Sequence, residues 1–259
     1  MKQIKKIDFH IPKLQAMKEY PSDLSFIGNT ELLNKPLISV VGTRRPNSYT
    51  KTFITNLVSK LSSAGVCIVS GAAMGVDALS HKAAGEENTI AILPNGLDFK
   101  YPSVNKKLIT NIQDKGLCLS QFENNFDARP WSFVVRNELV VALGDVLIVG
   151  EADLNSGSMR SVEFALNMQK EIYVLPHRLG ESDGTNKLIS DGLAKPIYDM
   201  DGFVSQFGVV EEKVDDELLE FCKNGDITYD EALYKFEDKV FEYELLGKIS
   251  IVDGKVKVI

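Results

Sequence analysis

The sequence of 259 residues predicts an α/β fold with a mostly parallel sheet, followed by a smaller C-terminal domain. Short runs rich in Val, Ile and Leu alternate with longer stretches whose apolar residues have helical spacing, which is typical of βαβ units. The runs are apolar throughout, as expected of strands buried on both faces of a sheet. The composition, with 44% hydrophobic and 25% charged residues, is that of an ordinary globular protein.

The main domain is expected at residues 36–207, where the strands and helices alternate. In the helix predicted after the first strand, Ile54, Leu57 and Leu61 lie on one face and predict packing against the sheet. The strands are predicted at Leu37–Val41, Val66–Val69, Thr89–Leu93, Gly116–Leu119, Asp145–Val149 and Glu171–Leu175, with helices at Thr50–Ala64, Asn105–Lys115 and Ser158–Gln169.

Residues 1–35 are too few for an independent domain, so we expect a short lead-in that packs on the edge of the main domain. The segment Pro12–Tyr20 is predicted to form a short helix, and Asp23–Ile27 to be extended.

The composition becomes more acidic in residues 208–259, which are expected to form a separate acidic domain. Residues 208–216 at its start are polar and predict a linker. Thr228 and Glu231 have the spacing of a capping box at the start of a helix. The pair Asp253-Gly254 between two apolar runs predicts a β-hairpin. This order of elements, three short helices followed by a hairpin, is that of a winged-helix domain. The helices are predicted at Glu217–Lys223, from Thr228 onward and at Phe236–Leu246, and the hairpin strands at Lys248–Val252 and Lys255–Ile259.

The net charge of −7 argues at first against nucleic acid, because nucleic-acid-binding domains are usually basic. The acidity is concentrated, however, in residues 208–259, which contain 7 lysines and 14 acidic residues. The remaining 207 residues hold 22 basic and 22 acidic side chains. Any binding of an anion by the main domain must therefore come from a local pocket and not from a broad basic face.

Several classes are excluded or disfavoured. No run approaches the roughly 20 apolar residues that span a bilayer, and residues 1–11 lack the apolar core of a secretory signal. The three cysteines form no CxxC pair and the three histidines are scattered, so neither a disulfide framework nor a metal site is expected. We expect a cytoplasmic protein that does not contact a membrane.

Four motifs follow predicted strands, at the edge where parallel sheets bind ligands. Three suit phosphate, and the fourth, Pro94–Asp98 followed by Tyr101-Pro102, is expected to shape the same rim. Gly42–Pro46 supplies a hydroxyl and two arginines, which form bidentate bonds with phosphate. Ser70–Asp77 and Asn155–Ser158 place small residues before helices, where backbone amides bind anions. Each motif taken alone is also compatible with an ordinary turn or helix cap. None matches GxGxxG or the P-loop pattern, which disfavours a dinucleotide enzyme and a P-loop ATPase.

The segment Arg129–Asn137 interleaves arginines with the single tryptophan and a phenylalanine. Such a mixture suits a single strand, whose bases stack on rings and whose phosphates meet cations. The alternative is a core helix with Phe133 and Val134 directed inward. Glu151 and Asp153 are also expected near the strand ends, but no nucleophile–base pair is identifiable.

Taken in order, these motifs resemble the DNA-processing protein A family, also called DprA or Smf. The resemblance covers about residues 21–207, and the ordered series is specific although each motif is weak. It rests on Gly42-Thr43-Arg44-Arg45-Pro46, on SGAAMGVDALSH from Ser70 to His81, on Gly96-Leu97-Asp98 with Tyr101-Pro102 and Asn105, on Phe133-x-x-Arg136-Asn137, on Glu151-Ala152, on Ser156-Gly157-Ser158 and on Ser182–Asn186.

The resemblance implies an extended Rossmann-like domain that binds single-stranded DNA and forms a homodimer. It also implies protection of incoming strands and loading of the RecA recombinase during natural transformation, with no cofactor and no catalysis. The DNA-binding residues carried over are Thr43, Arg44, Arg45, Ser70, Gly71 and Gly75, extended by Phe133, Arg136, Asn137, Ser156, Gly157 and Lys170; Arg129 and Ser158 join them from the segments described above.

Glu138 and Thr50 depart from this pattern, and Thr50 stands where a glycine commonly follows the tyrosine. Glu138 stands where the family usually has a further arginine, which weakens the positive field there. The third helix of the C-terminal domain offers mainly acidic side chains, and such a face repels phosphate. We therefore expect that this domain binds a protein and not DNA.

Two other functions remain open at this point. An enzyme of phosphoribohydrolase type could use the same sheet to hold a free nucleotide, with Glu151 and Asp153 as acid or base, although the usual P-G-G-x-G-T-x-x-E signature is absent. A scaffold whose strand-end loops serve only for packing is the second alternative.

Overall fold

The computed structural model describes residues 3–208, 217–223, 227–245 and 247–258. The chain divides into two compact units, Met1–Val210 and Glu211–Ile259. The predicted linker at 208–216 lies outside the described residues apart from Gly208.

Within the described ranges, nine strands of the first unit form one sheet in the order β1-β2-β6-β5-β4-β3-β7-β8-β9. Strands β3 to β9 are mutually parallel, whereas β2 is antiparallel to both β6 and β1. The prediction of a mostly parallel sheet is confirmed. The strands are β1 (Lys5–Lys6), β2 (Ser25–Gly28), β3 (Leu37–Val41), β4 (Cys67–Ser70), β5 (Thr89–Ile92), β6 (Leu117–Ser120), β7 (Val146–Val149), β8 (Ile172–Val174) and β9 (Lys195–Pro196).

Helices cover both faces of this sheet, which explains why its central strands are apolar throughout. In β3, Leu37 and Val41 join the same buried cluster as Leu139 on one face. On the other face, Ile38 packs in a cluster with Leu57. The helices are α1 (Ser48–Ser63), α2 (Val76–Ala84), α3 (Lys106–Lys115), α4 (Pro130–Leu143), α5 (Gly157–Asn167), α6 (Asp183–Ser190) and α7 (Met200–Val204).

The lead-in joins the sheet at its β6 edge. Strand β2 pairs with β6, and the segment predicted as a helix at Pro12–Tyr20 is a 3₁₀ turn over Pro12–Ala16. Leu14 of this turn is fully buried in the main core. The lead-in therefore completes the core of the first unit.

The sheet has a topological switch point beside β3. The chain leaves β3 toward β4, β5 and β6, and later returns to place β7 on the other side of β3. Crossovers then run in opposite directions from the two neighbouring strands, so a crevice opens at their carboxyl ends. This crevice is where the first and third phosphate motifs meet.

The second unit has three helices followed by a hairpin. A capping box between Thr228 and Glu231 starts the second helix, as predicted. The third helix begins two residues later than predicted, because Glu237 has a φ of 46°, outside the helical region. The elements are α8 (Glu217–Lys223), α9 (Tyr229–Phe236), α10 (Asp238–Leu245), β10 (Ile249–Val252) and β11 (Lys255–Val258).

The core of this unit is small and contains Leu218, Ala232, Val240, Ile249 and Val256. The winged-helix assignment stays a prediction. Across the described parts of both units, every helix is too short or too polar to cross a membrane.

Candidate functional site

A cavity of about 330 Å³ opens at the switch point, between the carboxyl ends of β3 and β7. Its walls are the loop after β3, the start of α2, one side of α4 and the start of α5. It is lined by Val41, Gly42, Thr43, Arg44, Ala73, Asp77, Phe133, Arg136, Asn137, Ser156, Gly157, Ser158 and Ser161.

The loop after β3 is held rigidly, and this directs Arg44 to the surface. The amide of Thr43 donates to the carbonyl of Glu151 at 2.7 Å, and the carbonyl of Thr43 accepts from the amide of Val76 at 3.1 Å. Gly75 has a φ of 80°, and a Cβ there would lie 2.3 Å from the carbonyl oxygen of Thr43. Only glycine permits this approach, so Gly75 lets the start of α2 support the loop. Arg44 is left exposed at the cavity rim.

Arg136 is buried and joins α4 to the ends of two strands. Its guanidinium donates to the carbonyls of Gly71 and of Ile92, the latter at 2.8 Å, and to Oδ1 of Asn137 at 3.0 Å. Burial lowers the pKa of Arg136 to about 10. A Cβ on Gly71 would lie 2.4 Å from the guanidinium. A side chain at position 71 would therefore force the guanidinium of Arg136 to move.

Asp77 lines the cavity and contributes a carboxylate to its wall. Burial raises the pKa of this carboxyl, while the neighbouring Arg136 and a hydrogen bond from the amide of Ala73 oppose the shift. Asp77 partly offsets the charge of Arg136, so the exposed Arg44 carries more of the attraction for an anion than a simple count of arginines suggests.

The ring of Phe133 lies beside both arginines. The guanidinium carbons of Arg44 and Arg136 lie 5.6 and 5.8 Å from its centroid. The ring of Tyr101 meets Phe133 edge to face at 5.8 Å. An aromatic ring beside the exposed guanidinium of Arg44 is suited to stack a nucleobase while that guanidinium contacts a phosphate.

The start of α5 supplies the polar wall of the cavity. Ser156 is the residue before this helix, and its side chain makes no capping hydrogen bond. The hydroxyls of Ser156 and Ser161 are buried without a hydrogen-bond partner. Because buried polar atoms are normally paired, these unpaired hydroxyls, together with the helix N-terminus, mark the part of the cavity wall that suits an anion.

Eight of the predicted site residues line this cavity: Thr43, Arg44, Phe133, Arg136, Asn137, Ser156, Gly157 and Ser158. Gly71 lines a small adjoining pocket with Tyr101 and Met74. Ser70 lies deeper, where its hydroxyl donates to the carbonyl of Val40 at 2.6 Å. Gly75 acts through its backbone, as described above. The side chains of Arg45 and Arg129 are exposed outside the cavity lining.

Lys170 is not brought to the site. It lies two residues before β8, and in a parallel sheet this is the edge opposite the carboxyl ends. Its Nζ donates to the carbonyls of Ala142, at 2.6 Å, and of Gly144, which precede β7 at the same edge. Glu138 also lies elsewhere, since its carboxylate accepts from the amide of Lys18. The expected weakening of the positive field by Glu138 is therefore not located at the cavity wall.

Glu151 is engaged in local structure. Its Oε2 accepts from the amide of Asn47 at 3.0 Å and from the hydroxyl of Thr50 at 2.6 Å, so it anchors the start of α1. Asp153 is exposed outside the cavity lining. The pair needed by the phosphoribohydrolase alternative is thus not gathered in the cavity. Among the described residues, no three His, Cys, Asp or Glu side chains are grouped to hold a metal ion.

Sequence reasoning did not single out Asp77 or Ser161 as lining residues. Ser161 follows Gly157 by four positions, so it lies one helical turn further on the same face. Asp77 is the last residue of the motif Ser70–Asp77. The other residues of that motif are mostly small and predict contacts through backbone amides, which gives no signal for a carboxylate in the cavity wall. Helical spacing from the predicted start of α5 was the signal that could have found Ser161.

A sequence model of the family described as DNA recombination-mediator protein A matches residues 4–208. Protein Smf of Escherichia coli is 33% identical over 190 residues, which are 71% of this chain and 51% of that protein. DNA processing protein DprA of Streptococcus pneumoniae is 34% identical over 183 residues, or 69% and 64% of the two chains. The chain thus spans about half to two thirds of the length of these relatives.

Solved structures are similar over most of the chain. The DNA processing protein A of Helicobacter pylori, studied for its single-stranded DNA binding mode, is 41% identical and superposes with a TM-score of 0.77. The match covers 80% of this chain and 97% of that one. DprA of Streptococcus pneumoniae gives a TM-score of 0.73 at 30% identity, covering 80% and 75% of the two chains.

Proposed function

Because the chain belongs to the DNA recombination-mediator protein A family, we propose that it binds single-stranded DNA in the cavity at the switch point. The observation that carries this proposal is the position of Phe133 within 6 Å of both Arg44 and Arg136, at the entrance to a cavity that holds two unpartnered buried hydroxyls.

The cavity offers a separate partner for each part of a nucleotide. The exposed guanidinium of Arg44 suits the phosphate, because planar arginine donors match phosphate oxygens. The ring of Phe133 suits the base, and ring stacking tolerates any base. The N-terminus of α5, with Ser156 and Ser158, suits a second phosphate or a sugar hydroxyl. Such contacts favour a strand with unpaired bases, whose faces are accessible.

Wider roles follow from family membership and are part of the proposal. The protein protects incoming strands, loads the RecA recombinase during natural transformation and works as a homodimer in the cytoplasm, without a cofactor and without catalysis. The described part of the second unit is acidic on its third helix, and we propose that this unit binds a protein and not DNA.

Binding of fluorescein-labelled single-stranded and duplex oligonucleotides across a salt series tests the proposal. We expect a preference for the single strand and an affinity that falls steeply with salt, because phosphate contacts release counterions. Replacing Arg44 and Arg45 together by alanine is expected to weaken binding to every sequence. Arg160→Ala is the matched control, because Arg160 is exposed and paired with Glu163 on the outside of α5.

Equal affinity for single strand and duplex would contradict the proposed ligand. Unchanged binding after loss of Arg44 and Arg45 would contradict the proposed site.

A further inference from the structure

We propose that Phe122, Phe126 and Trp131 form a second stacking site for the bases of the same strand, outside the cavity. These three residues are called the aromatic platform. The proposal rests on single-strand binding in the cavity, and it adds a place where the strand continues after leaving Phe133.

The platform is a compact group of rings drawn from two segments. Phe122 and Phe126 are stacked, with centroids 4.7 Å apart and planes 11° apart. The ring of Trp131 stands across both, at 5.7 Å from Phe122 and 5.6 Å from Phe126. The two phenylalanines come from the loop after β6, and Trp131 comes from the first turn of α4. Contacts among the rings fix their orientation, so little side-chain entropy remains to be lost on binding a base.

Trp131 is left 55% exposed in this arrangement. Tryptophan is the largest apolar side chain, and burial of its surface is favourable. In the first unit the neighbouring core is closed around fully buried residues such as Leu139, whereas the indole remains outside it. The part of its surface not used by Phe122 and Phe126 is open to a planar ligand, and nucleobases are such ligands.

Hydrogen bonds hold the loop of the platform in place. The carbonyl of Phe126 accepts from the amide of Gly96 at 2.9 Å, and the amide of Asn125 donates to the carboxylate of Asp98 at 2.9 Å. The amide of Phe122 donates to the hydroxyl of Ser120 at 3.1 Å. The platform is therefore anchored to the neighbouring strand-end loop.

The same strand-end loop leads to the cavity. It carries Tyr101, whose ring contacts Phe133 at 5.8 Å. Helix α4 also links the two places, since Trp131 and Phe133 are two residues apart and project about 200° apart around its axis. A strand that stacks on both rings must cross the beginning of α4. Arg129, which directly precedes α4, is exposed.

The charges beside the platform indicate stacking and not phosphate binding. Glu123 and Asp127 are exposed in the same loop and repel phosphate. Loss of the platform should therefore reduce affinity while the salt dependence of binding stays unchanged. Loss of Arg44 should reduce both, because the salt dependence counts phosphate contacts. This difference separates the two kinds of contact.

The test uses the whole chain and its single tryptophan, Trp131, as the reporter. Intrinsic fluorescence is recorded while oligothymidylates of increasing length are added, and binding is followed separately by anisotropy of a labelled strand. Stacking of a base on the indole is expected to quench its emission, once the strand is long enough to reach from the cavity. An equally long strand with abasic sites should bind through its phosphates and leave the emission unchanged.

Three variants complete the test. Trp131→Ala is expected to weaken binding of the longer strands about 5-fold or more, as loss of one stacked base does, with an unchanged salt slope. Trp131→Phe should restore most of the affinity, because a ring is kept. Tyr198→Ala is the control, since Tyr198 is a 79% exposed ring in the same unit outside the platform.

The outcomes are distinguishable. Tight binding by anisotropy with unchanged emission at every length, and unchanged affinity of Trp131→Ala, would overturn the platform and leave the cavity proposal intact. Absence of single-strand binding by the unmodified protein would overturn both proposals. Quenching that needs bases and a minimum length would support the platform.

Discussion

The two units handle positive charge in different ways. In the first, whose basic and acidic residues are equal in number, Arg44 lies exposed at the rim of a cavity beside the ring of Phe133. In the second, Lys235 lies 4.3 Å from the ring centroid of Phe221, and Lys248 lies 4.7 Å from that of Tyr243. These lysines cover the aromatic residues of their own small unit and stand among an excess of carboxylates. Placement of charge, more than its amount, separates the proposed phosphate contact from an acidic surface.

A similar contrast exists inside the cavity. Arg136 is buried and donates to the backbone carbonyls of Gly71 and Ile92, whereas Arg44 is exposed. The first supports the ends of two strands, and the second is available to a ligand. Substitution of each arginine should therefore give a different phenotype.

The largest expected effect is on stability. Arg136→Ala removes the donor to two buried carbonyls and leaves the buried Asp77 without its neighbouring cation, so we expect a loss of about 3–5 kcal/mol in the free energy of unfolding. Urea denaturation measures it. The control Arg160→Ala should change stability by less than about 0.5 kcal/mol. A small effect of Arg136→Ala would contradict the structural role assigned to Arg136.

The second largest expected effect is on single-strand affinity, without a change in stability. Arg44→Ala should weaken single-strand binding about tenfold and reduce the salt slope by about one, with stability unchanged. Arg45→Ala should have a smaller effect, because Arg45 is exposed away from the cavity lining. Anisotropy titrations at several salt concentrations measure both. A larger effect of Arg45→Ala would move the phosphate contact outside the cavity.

A smaller effect is expected at the opposite edge of the sheet. Burial lowers the pKa of Lys170 from 10.5 to about 8. Between these values the unfolded chain binds more protons than the folded one, so stability should rise as the pH rises from about 8 to 10.5. In Lys170→Met this rise should be reduced, and single-strand affinity should be the same as in the unmodified protein. Chemical denaturation at several pH values checks the first expectation, and weakened binding would place Lys170 at the site after all.

The smallest expected effect is that of the second unit on affinity for a single strand. Deletion of residues 211–259 should leave the affinity for a short single strand and its salt slope unchanged, because the proposed contacts lie in the first unit. A clear loss of affinity would show that the acidic unit contributes to strand binding.

Much of the fold could be predicted from the sequence, because its signals are local. Strand β3 has the predicted ends, Leu37 and Val41, and the other central strands differ by one residue at one or both ends. The capping box at Thr228 and Glu231 was also predictable, since both partners lie within one helical turn. The start of α10 was placed two residues early, because the backbone reversal at Glu237 has no simple sequence signal.

The site was predicted in part. Motifs after β3 and β7 converge on one cavity because parallel strands bring their carboxyl ends to one edge. The burial and direction of each side chain could not be predicted from the motifs. Ser70 turns toward Val40, Arg136 is buried, and Lys170 belongs to the other edge.

The sequence by itself thus determined the alternation of strands and helices, the edge where the ligand motifs gather and the concentration of acidity in the last 52 residues. These depend on residue types and on spacing along the chain. Only the tertiary structure decided which arginine is buried, which hydroxyls lack partners and that Trp131 meets Phe122 and Phe126. The physical reason is that these properties arise from contacts between segments distant in sequence, whose direction and depth are set by packing.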